Sequence, residues 1–88
     1  MKRYKISFHS KAVKEFDRLE DNVRRRIASR IEALAENPRP VDSVKLSGYK
    51  DYYRIRVGDY RIVYSIQDNK LIVLIIRIGA RRDIYRNL

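Results

Sequence analysis

The chain reads as an α+β fold: an N-terminal strand, then an αα-hairpin packed on a mainly antiparallel sheet with three to four C-terminal strands. Three observations carry this prediction. Tyr4, Ile6 and Phe8 alternate with Lys5, Ser7 and His9, the period of a half-buried strand. Apolar residues then recur at three-to-four spacing through two segments ending at Leu34, the period of amphipathic helices. From Val44 onward the pattern turns β, first alternating and finally continuously apolar. Eighty-eight residues leave no room for a second core, so residues 1–88 are expected to form one domain.

Each element follows from its local chemistry. Ser10 is the candidate N-cap of a first helix carrying Ala12, Val13, Phe16 and Leu19. Asp21-Asn22 interrupts that pattern and can cap a second helix, whose stripe is Val23, Ile27, Ile31 and Leu34, with Arg24, Arg25, Arg26, Arg30 and Glu32 largely elsewhere. Asn37-Pro38-Arg39-Pro40 stops it. Val44-Lys45-Leu46 is a short edge strand, followed by Ser47-Gly48 and a Tyr-rich connection. Gln67-Asp68-Asn69-Lys70 turns into Leu71–Ile76, whose lack of alternation suggests a central strand covered on both faces. The pattern does not specify its register. Gly79 ends it, and Arg81-Arg82-Asp83-Ile84-Tyr85-Arg86 is a basic tail with room for one helical turn.

Between these lies a hairpin, Tyr53 to Tyr64, with Gly58-Asp59 at its tip. Glycine at the first loop position suits a two-residue type II′ turn. Such a turn sets Val57 against Tyr60, Arg56 against Arg61, Ile55 against Ile62 and Arg54 against Val63. One face then carries Tyr53, Ile55, Val57, Tyr60, Ile62 and Tyr64, and the other carries Arg54, Arg56 and Arg61. Like charges directly opposed are destabilising, so three convergent guanidinium groups point to a polyanion site. The simpler readings are that Arg54 or Arg56 pairs with Glu32 or Glu36, that Tyr53, Tyr60 and Tyr64 are core, and that Tyr85 pins the chain's end.

Composition narrows the function. Lys plus Arg is 21 against 11 for Asp plus Glu, a net charge of +10 that predicts nucleic acid, an anionic surface or an acidic protein as partner. There is no cysteine, which excludes disulfides and thiolate metal sites and is compatible with a reducing cytoplasm. The single histidine, His9, excludes a His-cluster metal site or a His-dependent triad and reads as a surface residue. No cofactor is expected: the glycines at 48, 58 and 79 form no phosphate-cradling loop. The N-terminus shows no signal peptide and the longest apolar run is too short for a bilayer, so a soluble protein without a membrane partner is expected. Arg24-Arg25-Arg26 reads as a solvated helix face or a nonspecific RNA contact.

Arginine and tyrosine remain as the chemistry-bearing residues. Arg binds phosphate bidentately and suits the charge of a pentacoordinate phosphorane, while Tyr stacks on an unstacked base. RNA can be cleaved by its own 2′-OH if a protein orients that group and neutralises the phosphate. Arg54, Arg56, Arg61 and Arg81, with Tyr85, are the right types. Arginine stays protonated and makes a poor base, so on chemistry alone cleavage and simple RNA binding both stay open.

Arg-x-Arg-Val-Gly-Asp-Tyr-Arg-Ile-Val-Tyr at 54–64, with Lys45-Leu46-x-Gly48 before it and Ile78-Gly79-x-Arg81-Arg82-Asp83-Ile84-Tyr85 after it, resembles the RelE branch of the RelE/ParE toxin superfamily. The resemblance implies a RelE-like fold and a type II toxin of a toxin–antitoxin pair, cytoplasmic, that cleaves mRNA in the ribosomal A site without metal, using the substrate 2′-OH. It also implies a RelB-like antitoxin as partner, with operator DNA reached indirectly through the toxin–antitoxin complex. Carried over by position, the basic pair on the first hairpin strand falls on Arg54 and Arg56, and the transition-state arginine on Arg61. The arginine aiding leaving-group protonation falls on Arg81, and the substrate-stacking tyrosine on Tyr85. Well-studied members carry lysines where this chain has Arg54 and Arg56, and many relatives have His where it has Ala80. The alternatives are a ParE-like inhibitor of DNA gyrase and a non-catalytic basic RNA-binding module.

Overall fold

A computed structural model describes residues 3–80, 82–85 and 88, with the backbone alone at 82 and 83. The element order is β1 (Lys5–Phe8), α1 (Ser10–Asp17), α2 (Asp21–Leu34), β2 (Val44–Lys45), β3 (Tyr52–Val57), β4 (Tyr60–Gln67), β5 (Ile72–Gly79) and a 3₁₀ turn η1 (Arg82–Tyr85). The strands form one sheet in the order β1-β5-β4-β3-β2, antiparallel except for the parallel β1–β5 pair. Both helices cover one face. Ile27, Ile31 and Leu34 of α2 and Ala12 of α1 join Ile55, Ile62, Tyr64, Ile66, Val73, Ile75 and Ile78 in the main core. The opposite face has a second, smaller cluster, in which Val63 and Ile76 are covered by Ile84 of η1, with Tyr52, Leu74, Tyr85 and Leu88 packed around them. The sheet is thus apolar on both sides, as the unalternating run in β5 predicts.

The hairpin register is the expected one: Arg54 faces Val63, Ile55 faces Ile62, Arg56 faces Arg61 and Val57 faces Tyr60. Gly58 has φ +59° whereas Asp59 is not left-handed, as a type II′ turn requires. A Cβ at Gly58 would also lie 2.8 Å from Arg26 Nη2, so α2 lays a guanidinium against the tip. Tyr64 is fully buried and Tyr53 and Tyr60 pack against the core, the structural role expected of them.

The β4–β5 register contains a bulge. Val63 pairs with Arg77 but Tyr64 pairs with Ile75, leaving Ile76 as the extra residue. The bulge lets Ile75 and Ile78, three residues apart, both face the helices, while Ile76 joins Val63 on the other side. β5 also outruns β1, and Glu15 of α1 occupies the free edge. Its carboxylate accepts from the Ile78 N–H at 2.9 Å and from Arg77 Nε and Nη2 at 3.1 and 3.0 Å. A side chain thereby supplies the acceptor that a neighbouring strand would have supplied.

Several local expectations are corrected. α1 is capped by His9, not Ser10: its Nδ1 accepts from the Lys11 N–H at 3.2 Å. His9 serves because its own N–H bonds the Ile75 carbonyl, which leaves it extended at the helix entrance. The N-cap of α2 is Glu20, without a side-chain cap bond, and Asp21 sits in the first turn, where its carboxylate pairs with Arg24. Arg24 also donates to the Leu19 carbonyl at 2.8 Å, so it ties the helix junction instead of lying free on a solvated face. Val13 is 43% and Phe8 37% exposed, outside the core. Leu71 belongs to the turn, with φ +53°, so β5 begins at Ile72.

Tyr64 donates its hydroxyl to the Pro38 carbonyl at 2.8 Å, joining β4 to the loop after α2. Burial pushes this phenol from its ordinary 10.0 up to about 12. The unfolded chain ionises first, so the contribution of the neutral phenol is fully present below about pH 10 and is lost as pH rises to about 12. Urea unfolding of the wild type and Tyr64→Phe across that window is expected to show a loss of about 2 kcal/mol in the wild type that the variant lacks.

Candidate active site

The face away from the helices presents the hairpin arginines because strand alternation leaves them nowhere else to go. Arg56 and Arg61 are direct partners and Arg54 lies two residues along β3 on the same side. Together with Tyr85 they line one cavity of about 290 Å³. Four of the five residues singled out in the sequence therefore meet at one place. The fifth, Arg81, lies outside the described residues.

Several arginines elsewhere find carboxylates: Arg3 with Glu36, Arg24 with Asp21, Arg30 with Asp42, Arg39 with Asp68 and Arg77 with Glu15. Among the described residues no such partner serves Arg54, Arg56 or Arg61. The simpler reading that Arg54 or Arg56 pairs with Glu32 or Glu36 fails, since the helices lie across the sheet and Glu36 holds Arg3 at 3.0 Å. Among the described residues only Arg61 of the three has a hydrogen-bond partner, its Nη1 donating to the Ala80 carbonyl at 3.0 Å. That bond holds one guanidinium against the start of the C-terminal segment, and its other nitrogens have no partner among the described residues.

Tyr85 is set by a close contact that a sequence pattern does not reveal. Gly79 faces Arg61 across the β4–β5 ladder, and a Cβ there would lie 2.8 Å from Ile84 Cγ2. The missing side chain lets η1 fold down on the sheet, where Ile84 is buried in the second cluster and Tyr85 becomes the cavity wall. Tyr85 is both a packing residue and a site residue. Its hydroxyl is buried without a hydrogen-bond partner among the described residues. A buried unsatisfied hydroxyl costs about 1–3 kcal/mol, which a bound acceptor or donor would recover.

A profile of the ParE toxin family of type II toxin–antitoxin systems matches residues 6–85. The mRNA interferase toxin RelE of Escherichia coli K12 is 34% identical over 80 residues, spanning 89% of this chain and 83% of that protein. The chain belongs to the RelE branch of the RelE/ParE toxin superfamily. Its fold agrees: the RelE-branch chain superimposes on the intact E. coli RelBE toxin–antitoxin complex with TM-score 0.80 and 32% identity, covering 90% of this chain and 98% of that one. The archaeal RelE–RelB complex from Pyrococcus horikoshii OT3 gives TM-score 0.80 at 31% identity, covering 93% and 99%. As a RelE-branch protein the chain is a toxin of a toxin–antitoxin system.

Two substitutions check the construction of this cavity. Gly79→Ala is expected to lift η1 and lower stability by about 1–3 kcal/mol, with loss of Tyr85 ring contacts in NMR spectra. Tyr85→Phe is expected to raise the free chain's melting temperature by a few degrees, about 1 kcal/mol, because it removes the unsatisfied hydroxyl while keeping the ring.

Proposed function

We propose that this chain is a ribosome-dependent mRNA endonuclease that cleaves in the A site without metal, using the substrate 2′-OH as nucleophile. The observation that carries the reading is the cavity that joins Arg54, Arg56 and Arg61 to Tyr85, with no carboxylate among the described residues that line it. Three fixed positive charges neutralise the scissile phosphate before reaction, and the same charges strengthen as the pentacoordinate dianion forms. Arg61, held by Ala80 at 3.0 Å, is preorganised for that role, so no bound water or side chain must reorient during the step. Arg54 and Arg56 hold the phosphate. The Tyr85 ring stacks on the adjacent base, and Arg81 aids protonation of the leaving 5′-oxygen.

Proton removal is the harder half. Arginine only donates, so among the described lining residues the Tyr85 hydroxyl is the one side-chain group able to accept a hydrogen bond from the 2′-OH. Orientation of the nucleophile and charge neutralisation therefore carry most of the acceleration. The 2′-OH proton passes to water, the 2′-oxygen bonds phosphorus as the P–O5′ bond breaks, and the 5′-oxygen leaves protonated beside a 2′,3′-cyclic phosphate. The ribosome completes the site by presenting the mRNA. The partner that silences the toxin is a RelB-like antitoxin, in keeping with the RelB-bound relatives, and operator DNA is reached through that complex.

The test maps mRNA 5′ ends after brief induction, on translated and untranslated versions of one transcript. Codon-phased cuts that require translation are expected; intact mRNA with loss of DNA supercoiling would favour a gyrase inhibitor instead. Arg61→Ala is expected to lower cleavage at least 10²-fold, roughly the worth of one transition-state donor, with antitoxin affinity unchanged. Retention of full activity would refute the assignment of Arg61.

A further inference from the structure

Besides the cavity lined by the hairpin arginines and Tyr85, a second cavity of about 150 Å³ is lined in part by Leu88. Leu74 and Ile76 give the second cavity its apolar floor, Tyr52 and His9 line it beside them, and Lys11 and Arg77 supply its cations. The Tyr52 ring is backed by Tyr49, stacked at 5.2 Å and 14°, so it is already ordered. Arg77 spends Nε and Nη2 on Glu15, and its Nη1 has no partner among the described residues. Lys11 is exposed on α1, and it also borders a neighbouring depression with Lys14, Glu15, Arg18 and Arg77.

We infer that this cavity is a second nucleotide subsite, holding one base of the same RNA strand whose scissile phosphate lies at the arginines. A cavity of about 150 Å³ has room for one six-membered ring, and its mixed lining suits a base whose face meets Tyr52, Leu74 and Ile76 and whose polar edge meets the cationic side. An aromatic side wall with a cationic rim is the combination that binds unstacked single strands: the ring takes a base and the cations take the phosphate. Tyr52 and Arg54 are two residues apart on one face of β3, about 7 Å, so a strand leaving the arginines reaches the second cavity within a short step. The net charge of +10 favours a polyanion over an apolar peptide as occupant. This inference rests on the arginine cavity being the place where RNA is cut.

The test titrates the full chain, labelled for NMR, with a tetraribonucleotide bearing 2′-O-methyl groups, which binds without being cleaved. The Tyr52 amide and the Leu74 and Ile76 methyls are expected to shift together with the amides of Arg54, Arg56 and Arg61. Leu74→Trp fills the cavity from its floor and is expected to weaken binding about tenfold and abolish the Tyr52 and Ile76 shifts, leaving the arginine shifts in place. Lys11→Ala, on the exposed rim and harmless to the core, is expected to flatten the slope of log affinity against log salt by about 0.7, the share of one phosphate on a single strand. Shifts at the arginines with none at Tyr52, Leu74 and Ile76 would overturn the second subsite and leave the arginine site standing. The reverse pattern, shifts at Tyr52, Leu74 and Ile76 with none at the arginines, would overturn the arginine site and with it the second subsite that rests on it. Shifts in the Tyr52 set caused by the antitoxin and not by the oligonucleotide would overturn the inference in favour of a peptide groove.

Discussion

The β3–β4 register is the constraint on which the rest of this molecule depends. Two residues, Gly58 and Asp59, turn the chain, and the left-handed Gly58 allows the strands to leave the turn with matching twist. Side chains alternate along a strand, so a slip of one residue would send Arg54 and Arg56 under the helices and Ile55 and Val57 into solvent. Burying unpaired guanidinium groups costs far more than the repulsion between Arg56 and Arg61 on the open face. The charged face is thus held in place by the apolar one, and α2 seals the arrangement by laying Arg26 against the tip.

What the register concentrates, the C-terminal segment encloses. A hairpin face alone is flat, and flat surfaces bind phosphate weakly and without orientation. Ile84, seated over Gly79, brings η1 down so that Tyr85 stands beside three arginines and Arg61 bonds the Ala80 carbonyl. The concave shape therefore depends on an apolar contact, not on the charges that line it. Arg3, Arg24, Arg30, Arg39 and Arg77 each pair with a carboxylate, whereas among the described residues none pairs with the arginines that line the cavity.

The opposite end of the sheet is held by a different device. Arg39 lies over the Tyr53 ring at 5.3 Å, donates to its hydroxyl, and reaches Asp68 with two nitrogens, while Tyr4 donates its hydroxyl to the same carboxylate. This cluster ties the loop after α2, the start of β1 and the β4–β5 turn together at the end away from the hairpin tip. With Glu15 closing the free edge of β5, the sheet is fastened at its rim by polar groups and in its interior by packing. The scaffold beneath the arginines is rigid, as electrostatic preorganisation requires.

Local periodicity and turn chemistry by themselves determined the hairpin, its register, the segregation of arginine from tyrosine and the apolar stripes of both helices, and composition alone gave the net charge that calls for an anionic partner. These are properties of neighbours in the chain, and neighbours suffice to read them. The cap of α1 went to His9 and not Ser10 because a long-range bond to Ile75 decides where the helix begins. The bulge at Ile76, the closing of the β5 edge by Glu15, and the seating of Ile84 on Gly79 were settled only by tertiary structure. Each depends on which atoms far apart in the chain compete for the same space or the same hydrogen bond. For the same reason residues 54, 56 and 61 announced a charged face, but only the folded chain shows that Tyr85 turns that face into a cavity.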